Sequence, residues 1–536
     1  MKKLILYFVI LFICSLSVLS FDDFEKDSKK NYHKDISAVA DSRIFDANDI
    51  RTYFRNNGSF NRDPSTLNAA FVWPRSSSKT ARYASGLWIG AIVGDDTLVT
   101  SCGYTYEYLP GFTDNNGDPA GYNDPEYKIY KLTRGIQDKD RANWPSVLLG
   151  NSDQGAPVFY DSLSGILRPV DFGKQTMFYS YTDSYESAHN AVPGSTAPLK
   201  ADIKQLNFAE NFPFDPLDYI LFSQFIVINR SDNVWQNTVF SFWSDDDLGD
   251  AADDKIGCDS ALKLGYTYNG TNNDLIYANS PPSVGTLLLK GALKYTGNPN
   301  DVVSYCHNDL RIVKSGYTDA GMSVFNGVGT SQNYSQSYRL MNGLTSSGES
   351  VINPVGGFPT KFYYTGDPVT NTGWNLAAQG DVRFFLSSGP VDVAPGDTQV
   401  LVIAQIIARG SDYLNSITKL REYSMTAKEY YRQCYYLDPV GITENISAVN
   451  NFSLSQNYPN PFNPNTIINY KLRYSAFLKL IIYDAIGNEV AYLVNERQDP
   501  GSYSVEWNAE NFPSGVYYYT LTGGGISESG KMVLLR

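Results

Sequence analysis

Between Ile468 and Trp507 the apolar residues fall at every second position: Ile468, Tyr470 and Leu472, then Leu478, Leu480 and Ile482, then Tyr503, Val505 and Trp507. A period of two turns one face of each extended run toward a core and the other toward water. Turn-forming residues separate the runs at Gly487-Asn488, Pro500-Gly501, Ser514-Gly515 and Gly523-Gly524-Gly525. The pattern predicts a small antiparallel sandwich of roughly seven strands.

The runs are preceded by Asn457-Tyr458-Pro459-Asn460-Pro461-Phe462-Asn463-Pro464, in which the prolines fix their own φ and push Tyr458, Asn460 and Asn463 toward extended backbone. A stiff, extended lead-in strand is expected. This segment, with LIIYDAIGNEV, LVN, GSYSVEW, SGVYYYTL and the terminal KMVLLR, resembles the type A C-terminal sorting domain of the type IX secretion system, over about Asn451 to Arg536. The resemblance implies an Ig-like sandwich over 451–536. It also implies recognition by outer-membrane export machinery through a motif of Tyr458, Pro459, Asn460, Pro461, Phe462, Asn463, Pro464 and Lys531. Such a chain ends up secreted or on the outer cell surface, by way of the periplasm. The plain alternative is an accessory sandwich without a sorting role.

The other terminus agrees. Lys2 and Lys3 precede an apolar run from Leu4 to Leu19, with small residues up to Ser20, as in a secretory signal peptide spanning 1–20. A charged leader without periodicity follows over 21–43. No later apolar run reaches ~18 residues, so no membrane span is expected in the mature chain. A net charge of −13 disfavours nucleic acid as a partner. Export through an oxidising compartment permits disulfides, and Cys102, Cys258, Cys306 and Cys434 allow three pairings that the sequence does not choose between.

The body, 44–437, reads as a mostly β, multi-strand, sandwich-like unit. A hairpin is expected over Asp218 to Trp243, turning at Asn229–Asn233, and further strands near Thr286–Leu289, Lys361–Tyr364, Val382–Leu386 and Val400–Ile407. From Tyr413, the residues Ile417, Leu420, Ser424, Ala427, Tyr431 and Cys434 recur at three to four positions, which predicts one closing helix. A linker is expected over 438–450. Trp73 with Trp88, and Tyr179 with Tyr181 and Tyr185, are candidate aromatic surfaces; core packing is the competing reading for Trp88, Tyr179 and Tyr181. Blocks such as SGLWIGA and WSDDDLGD resemble a recurrent body of secreted proteins that carry this sorting domain, a resemblance that implies one folded unit and no activity.

Chemistry is sparse. There is no GxSxG, HExxH or Walker A loop, and His33, His189 and His307 are the only histidines, which leaves Ser–His and Cys–His catalysis little to use. The densest functional signal is Ser244 to Lys255, with six carboxylates in ten residues, following a strand expected to end at Trp243. Calcium takes six to eight oxygen ligands, and carboxylates around a Gly-turned loop supply them. The expected ligands are Asp245, Asp247, Asp250, Asp253 and Asp254; the alternative is a solvated loop held by backbone donors. Taken together, the sequence points to an exported, non-enzymatic passenger that binds extracellular material, polysaccharide foremost. The alternatives are a carbohydrate-active hydrolase using loop carboxylates, or a structural component of the surface or matrix.

Overall fold

A computed structural model describes residues 41–152, 154–161, 166–190, 194–307, 310–327, 331, 333–433, 452–472, 476–498, 501–523 and 526–535. The expected signal peptide, nearly all of the leader, the linker and Cys434 lie outside the described residues.

The body is built on a nine-stranded antiparallel sheet. Its strands run in the order Tyr130–Thr133, Gln175–Thr182, Ala201–Ala209, Ile220–Asn229, Thr398–Ala408, Ser283–Lys290, Leu264–Asn269 and Asp254–Asp259, with Leu109–Pro110 added beside Gln175–Thr182. A five-stranded sheet consists of Val324–Gly327, Val382–Val393, Trp235–Asp246, Ala84–Val93 and Asp96–Thr100, in that order. Alternation divides the central strands between two cores. Leu221, Phe225, Val227, Leu401, Ile403 and Ile407 join the core that includes Trp88, Phe242 and Phe385 of the smaller sheet. Ile220, Phe222, Ile226, Val400, Val402 and Ile406 join a second core with Ile417, Leu420, Ala427 and Tyr430. These last four lie on the helix Tyr413–Gln433, which closes the body as expected. The larger sheet is thus covered on both faces, which is why its strands read as continuous apolar runs.

The expected hairpin over 218–243 does not form. Ile220–Asn229 pairs with Ala201–Ala209 and Thr398–Ala408, whereas Trp235–Asp246 pairs with Ala84–Val93 and Val382–Val393. The intervening residues form a corner that crosses from one sheet to the other. Asn229 shapes it, its Nδ2 donating to the carbonyls of Asn233 (2.9 Å) and Val393 (3.0 Å), and its Oδ1 accepting from Ser231 N (2.9 Å). Two strands buried at nearly every position each need neighbours on both sides, and a two-stranded ribbon cannot supply them. Phe225 and Phe242 meet across the sheets instead, with ring centroids 5.4 Å apart. A helix over Tyr334–Met341 was not anticipated, and Lys361–Tyr364 is loop apart from a bridge at Phe362.

Polar side chains run through the core between the sheets. Arg82 and Asp246 are fully buried, with Arg82 Nε 3.4 Å from Asp246 Oδ1. Arg82 Nη1 donates to Thr286 Oγ1 (2.7 Å) and approaches Gln405 Oε1 (3.4 Å), while Asp246 accepts from Ser244 Oγ (2.5 Å) and Thr267 Oγ1 (2.9 Å). Asn61 Nδ2 donates to Gln405 Oε1 (2.7 Å) and to Ser85 Oγ (2.9 Å). Burial pulls the Arg82 pKa down and pushes the Asp246 pKa up, and each partner opposes the other's shift.

Tryptophans and tyrosines offered as surface by the sequence are mostly core. Trp73 and Trp88 are buried, and Tyr179 and Tyr181 have no exposure; Tyr185 is half-buried and packs on Tyr122. Of the cysteines, Cys306 is disulfide-bonded, while Cys102 and Cys258 are free and buried.

The C-terminal unit is a two-sheet sandwich of seven strands, as the alternation predicted. Phe452–Leu454, Asn465–Leu472 and Gly501–Asn508 form one sheet; Glu489–Gln498, Ala476–Tyr483, Gly515–Gly523 and Ile526–Leu534 form the other. The proline-rich segment is not the regular extended strand expected. Its Tyr458-Pro459 and Asn460-Pro461 bonds are cis, and it is stitched to the last strand. Phe462 N donates to Val533 O (3.0 Å), Leu535 N donates to Phe462 O (3.0 Å), and Asn460 Nδ2 donates to Lys531 O (3.1 Å). The Phe462 ring is buried against Trp507, with centroids 5.5 Å apart.

Arg82→Leu leaves the Asp246 carboxylate buried without its counter-charge. We expect it to cost about 3–5 kcal/mol in denaturant unfolding of the purified protein, and the added change Asp246→Leu to recover much of that loss. A single variant as stable as wild type would contradict this role for the pair.

Candidate functional site

Two places in the body combine polar chemistry with access to solvent. The first is the acidic stretch. Its strand does not stop at Trp243 but runs on through Asp246, so successive carboxylates point to opposite faces. Asp246 turns inward to Arg82, and Asp245 turns toward Tyr104 and Arg383. The register places Asp245 opposite Arg383, which brings Asp381 beside it. Asp245, Asp247 and Asp381 each offer an oxygen within 4.8 Å of the others, the one such group of potential metal ligands among the described residues.

The surroundings of this group are specific. Tyr104 Oη donates to Asp245 Oδ2 (2.5 Å), and Arg383 Nε donates to Tyr104 Oη (2.7 Å). Arg383 also lies 3.2 Å from Asp245 Oδ1 and bonds Asp381 Oδ2 at 2.8 Å. Burial pushes the Asp245 pKa up to about 7, against the Tyr104 hydrogen bond and the Arg383 charge, with Asp247 and Asp381 adding to the rise. Asp247 is pushed up to about 6 by burial and by the charges of Asp381 and Asp246.

The other three expected ligands are not brought into this group. Asp250 Oδ1 accepts from Ala252 N (3.1 Å), Asp253 Oδ1 from Asn269 Nδ2 (2.7 Å), and Asp254 Oδ2 from Leu248 N (2.9 Å). Asp250 and Asp253 lie beside Asp274, whose Oδ2 accepts from Asp250 N (2.9 Å), whereas the acidic neighbours of Asp254 are Asp246, Asp253 and Asp247. These carboxylates shape the loop through local donors, as Asp and Asn do in turns. Asp381 was missed because only long-range strand pairing puts it beside Asp245; no local spacing in the sequence carries that information.

The second place is a cavity of about 390 Å³ lined by Cys258, Asp259, Ser260, Ala261, Thr365, Gly366, Asp367 and Arg421. Arg421, on the closing helix, bridges its two acids, with Nη1 3.0 Å from Asp367 and Nε 3.3 Å from Asp259. Burial raises the Asp367 pKa, but the hydrogen bonds from Arg421 and Val369 and the Arg421 charge outweigh it, so the net shift is downward. An aromatic group adjoins the cavity residues Cys258 and Gly366 through backbone bonds to Tyr364 and Trp374. Tyr363, Tyr364 and Trp374 are half-buried and touch one another, with centroids 5.1–5.7 Å apart. Tyr364 O accepts from Cys258 N (3.0 Å), which ties the aromatic ledge to the cavity wall. Sequence reading placed Tyr363 and Tyr364 in an expected strand, Lys361–Tyr364, and passed over Trp374; all three sit in loop.

Residues 456–535 match the family model of a secretion system C-terminal sorting domain. The chain therefore carries a sorting domain of the type IX route and is an exported protein, secreted or attached at the outer surface. Among the described residues no helix is long and apolar enough to cross a membrane. No curated protein matches the chain. One similar solved structure is a polysaccharide lyase, at 8% identity and a TM-score of 0.24. That alignment covers 94% of this chain and 47% of the other, so the chain spans under half the length of that structure, and a likeness this low carries no argument.

The raised carboxylates set a pH dependence. The folded state holds protons on Asp245 and Asp247 that the unfolded chain releases at roughly pH 4, so stability from these groups is lost as pH rises toward about 7. In the presence of EGTA, Asp245→Asn is expected to flatten the fall in unfolding free energy between those limits; an unchanged slope would refute the assignment.

Proposed function

We propose that the exported body is an extracellular binding module, and that it takes polysaccharide on the ledge of Tyr363, Tyr364 and Trp374 beside the cavity of Asp259, Asp367 and Arg421. The observation that carries this reading is the juxtaposition itself. Apolar ring faces next to convergent hydrogen-bonding groups, around a cavity of ligand size, suit a molecule with both CH faces and hydroxyls. Binding is preferred to hydrolysis because both cavity carboxylates are engaged by Arg421, and Asp367 is held in its ionised form. A glycosidase needs one carboxyl poised to donate a proton.

The cation expected from the acidic stretch belongs, in this proposal, to Asp245, Asp247 and Asp381. Their oxygen spacing suits a common ion at roughly 2.3–2.6 Å, and a divalent charge would relieve the unfavourable ionisation of Asp245 and Asp247. Arg383 already contacts two of the three carboxylates and competes for the place. Calcium here would be structural, stiffening the junction of two strands.

Pull-down of the mature protein on insoluble polysaccharides, with reducing sugar assayed in the supernatant, tests the first reading. Retention without sugar release is expected, and Trp374→Ala should weaken it about tenfold, or ~1.4 kcal/mol. Sugar release would favour the hydrolase instead. For the cation, EGTA should lower the unfolding temperature of calcium-loaded protein, and Asp247→Asn should abolish that difference. A curve that ignores both calcium and EGTA removes the metal from the account.

A further inference from the structure

The chain between Ser283–Lys290 and Val324–Gly327 forms two small antiparallel ribbons, one nested in the other. Leu293–Tyr295 pairs with Tyr317–Asp319, and Val302–His307 pairs with Leu310–Ser315. Register sets Tyr295 opposite Tyr317, and their rings meet with centroids 5.1 Å apart. Tyr295 is 69% exposed, and neither ring belongs to the two cores of the body. The Tyr295 ring lies over bare glycine backbone: a Cβ at Gly316 would sit 3.5 Å from its Cε2, and one at Gly297 would sit 3.7 Å from its Oη. Lys314 Nζ stands 5.3 Å from the centroid of the Tyr317 ring. Neither Lys314 nor Lys294, both exposed, has a carboxylate within ion-pair distance among the described residues.

The ribbons are braced from below. Tyr431 Oη, on the closing helix, donates to Cys306 O (3.2 Å), and Cys306 is disulfide-bonded. The buried Lys290 Nζ donates to Val400 O (2.6 Å) and packs 4.2 Å from the centroid of the Tyr305 ring. A short stretch of surface joins the tyrosine pair to the cavity beside the aromatic ledge. Ser260 and Ala261 line that cavity, and Lys263 N closes the same turn on Ser260 O (3.2 Å). Lys263 Nζ then donates to Asp319 Oδ2 (3.1 Å), on the strand that begins with Tyr317.

We propose that Tyr295 and Tyr317, with Lys314, form a second sugar subsite, so that the body holds one extended, uncharged polysaccharide chain at two places. This rests on the ledge of Tyr363, Tyr364 and Trp374 being a sugar site. The open face of Tyr295 takes the CH face of a sugar ring, and Lys314 donates to a hydroxyl. A braced ribbon presents these groups at small entropic cost. The polymer is uncharged for two reasons. A chain of net charge −13 repels polyanions, and Asp259 and Asp367 already engage the Arg421 charge in the cavity. The unpaired ammonium groups of Lys294 and Lys314 repel amino sugars. Once one subsite is filled, the other is reached within the same complex, so retention of a polymer exceeds what either contact gives alone.

The test compares retention of the purified protein on insoluble cellulose, mannan and curdlan with its affinity for the matching soluble disaccharides. Tyr295→Ala removes an exposed side chain and should leave the unfolding curve unchanged. It is expected to lower retention on the polymer about tenfold while the disaccharide affinity stays at the wild-type level, because a disaccharide fills only the ledge. Trp374→Ala should lower both. Lys314→Ala, also on an exposed side chain, should show the same split as Tyr295→Ala and keeps the test open if that variant folds poorly. Retention unchanged in folded Tyr295→Ala and Lys314→Ala overturns the second subsite and leaves the ledge standing. So does a loss of disaccharide binding in step with retention, or a dimer dissociated by Tyr295→Ala while retention holds. Stronger retention on polygalacturonate than on the neutral polymers overturns the uncharged class. Wild-type protein that holds neither polymer nor disaccharide refutes the ledge itself, and the second subsite falls with it.

Discussion

The architecture depends on one buried ion pair. Arg82 and Asp246 sit at the junction of the two large sheets and gather Thr286, Gln405, Thr267 and Ser244 around them. A charge pair taken out of water contributes little net stability, because desolvation offsets the attraction. Its physical consequence is selection of register. Slipping Trp235–Asp246 by one residue would still offer Arg82 a carboxylate, from Asp245 or Asp247, so the pair selects the alignment only together with the hydrogen bonds from Ser244 and Thr267. Two apolar sheet faces sliding over each other would tolerate several alignments; the pair with its hydrogen bonds is satisfied in one.

The same register accounts for the acidic surface site. Since Asp246 must face Arg82, Asp245 must face the other way, into the company of Tyr104, Arg383 and Asp381. An inward carboxylate that fixes the core and an outward one that shapes the surface are consecutive residues of one strand. The aromatic ledge and its cavity arise differently, where the loop before Val382–Val393 folds down against the closing helix.

Legibility in the sequence followed the burial of each element. The sorting domain was readable because each of its strands has one wet face, so alternation survives in the residues. Ile220–Asn229 and Trp235–Asp246 are buried on both faces, and without alternation a short polar link between them looks like a hairpin turn rather than a corner between sheets. The closing helix, with its one-sided stripe, was plain; Tyr334–Met341 is short and polar enough to pass for loop. Asp245 and Asp247 stood out by density, but Asp381, Arg383 and Tyr104 reach them only through pairings between distant strands. Tyr363 and Tyr364 read as the end of a strand and Trp374 carried no signal, since the loop that holds them is placed by contacts and not by repeat.

The stitching of Asn460 and Phe462 to Lys531, Val533 and Leu535 has a bearing on timing. The sorting domain's proline-rich segment takes its partners from its last strand, so the sandwich cannot close until that strand has been made. A product truncated before Met532 would leave Phe462 without its backbone bonds to Val533 and Leu535. The address on this protein is therefore also a receipt for synthesis of the whole domain, legible only when both of its ends are present to meet.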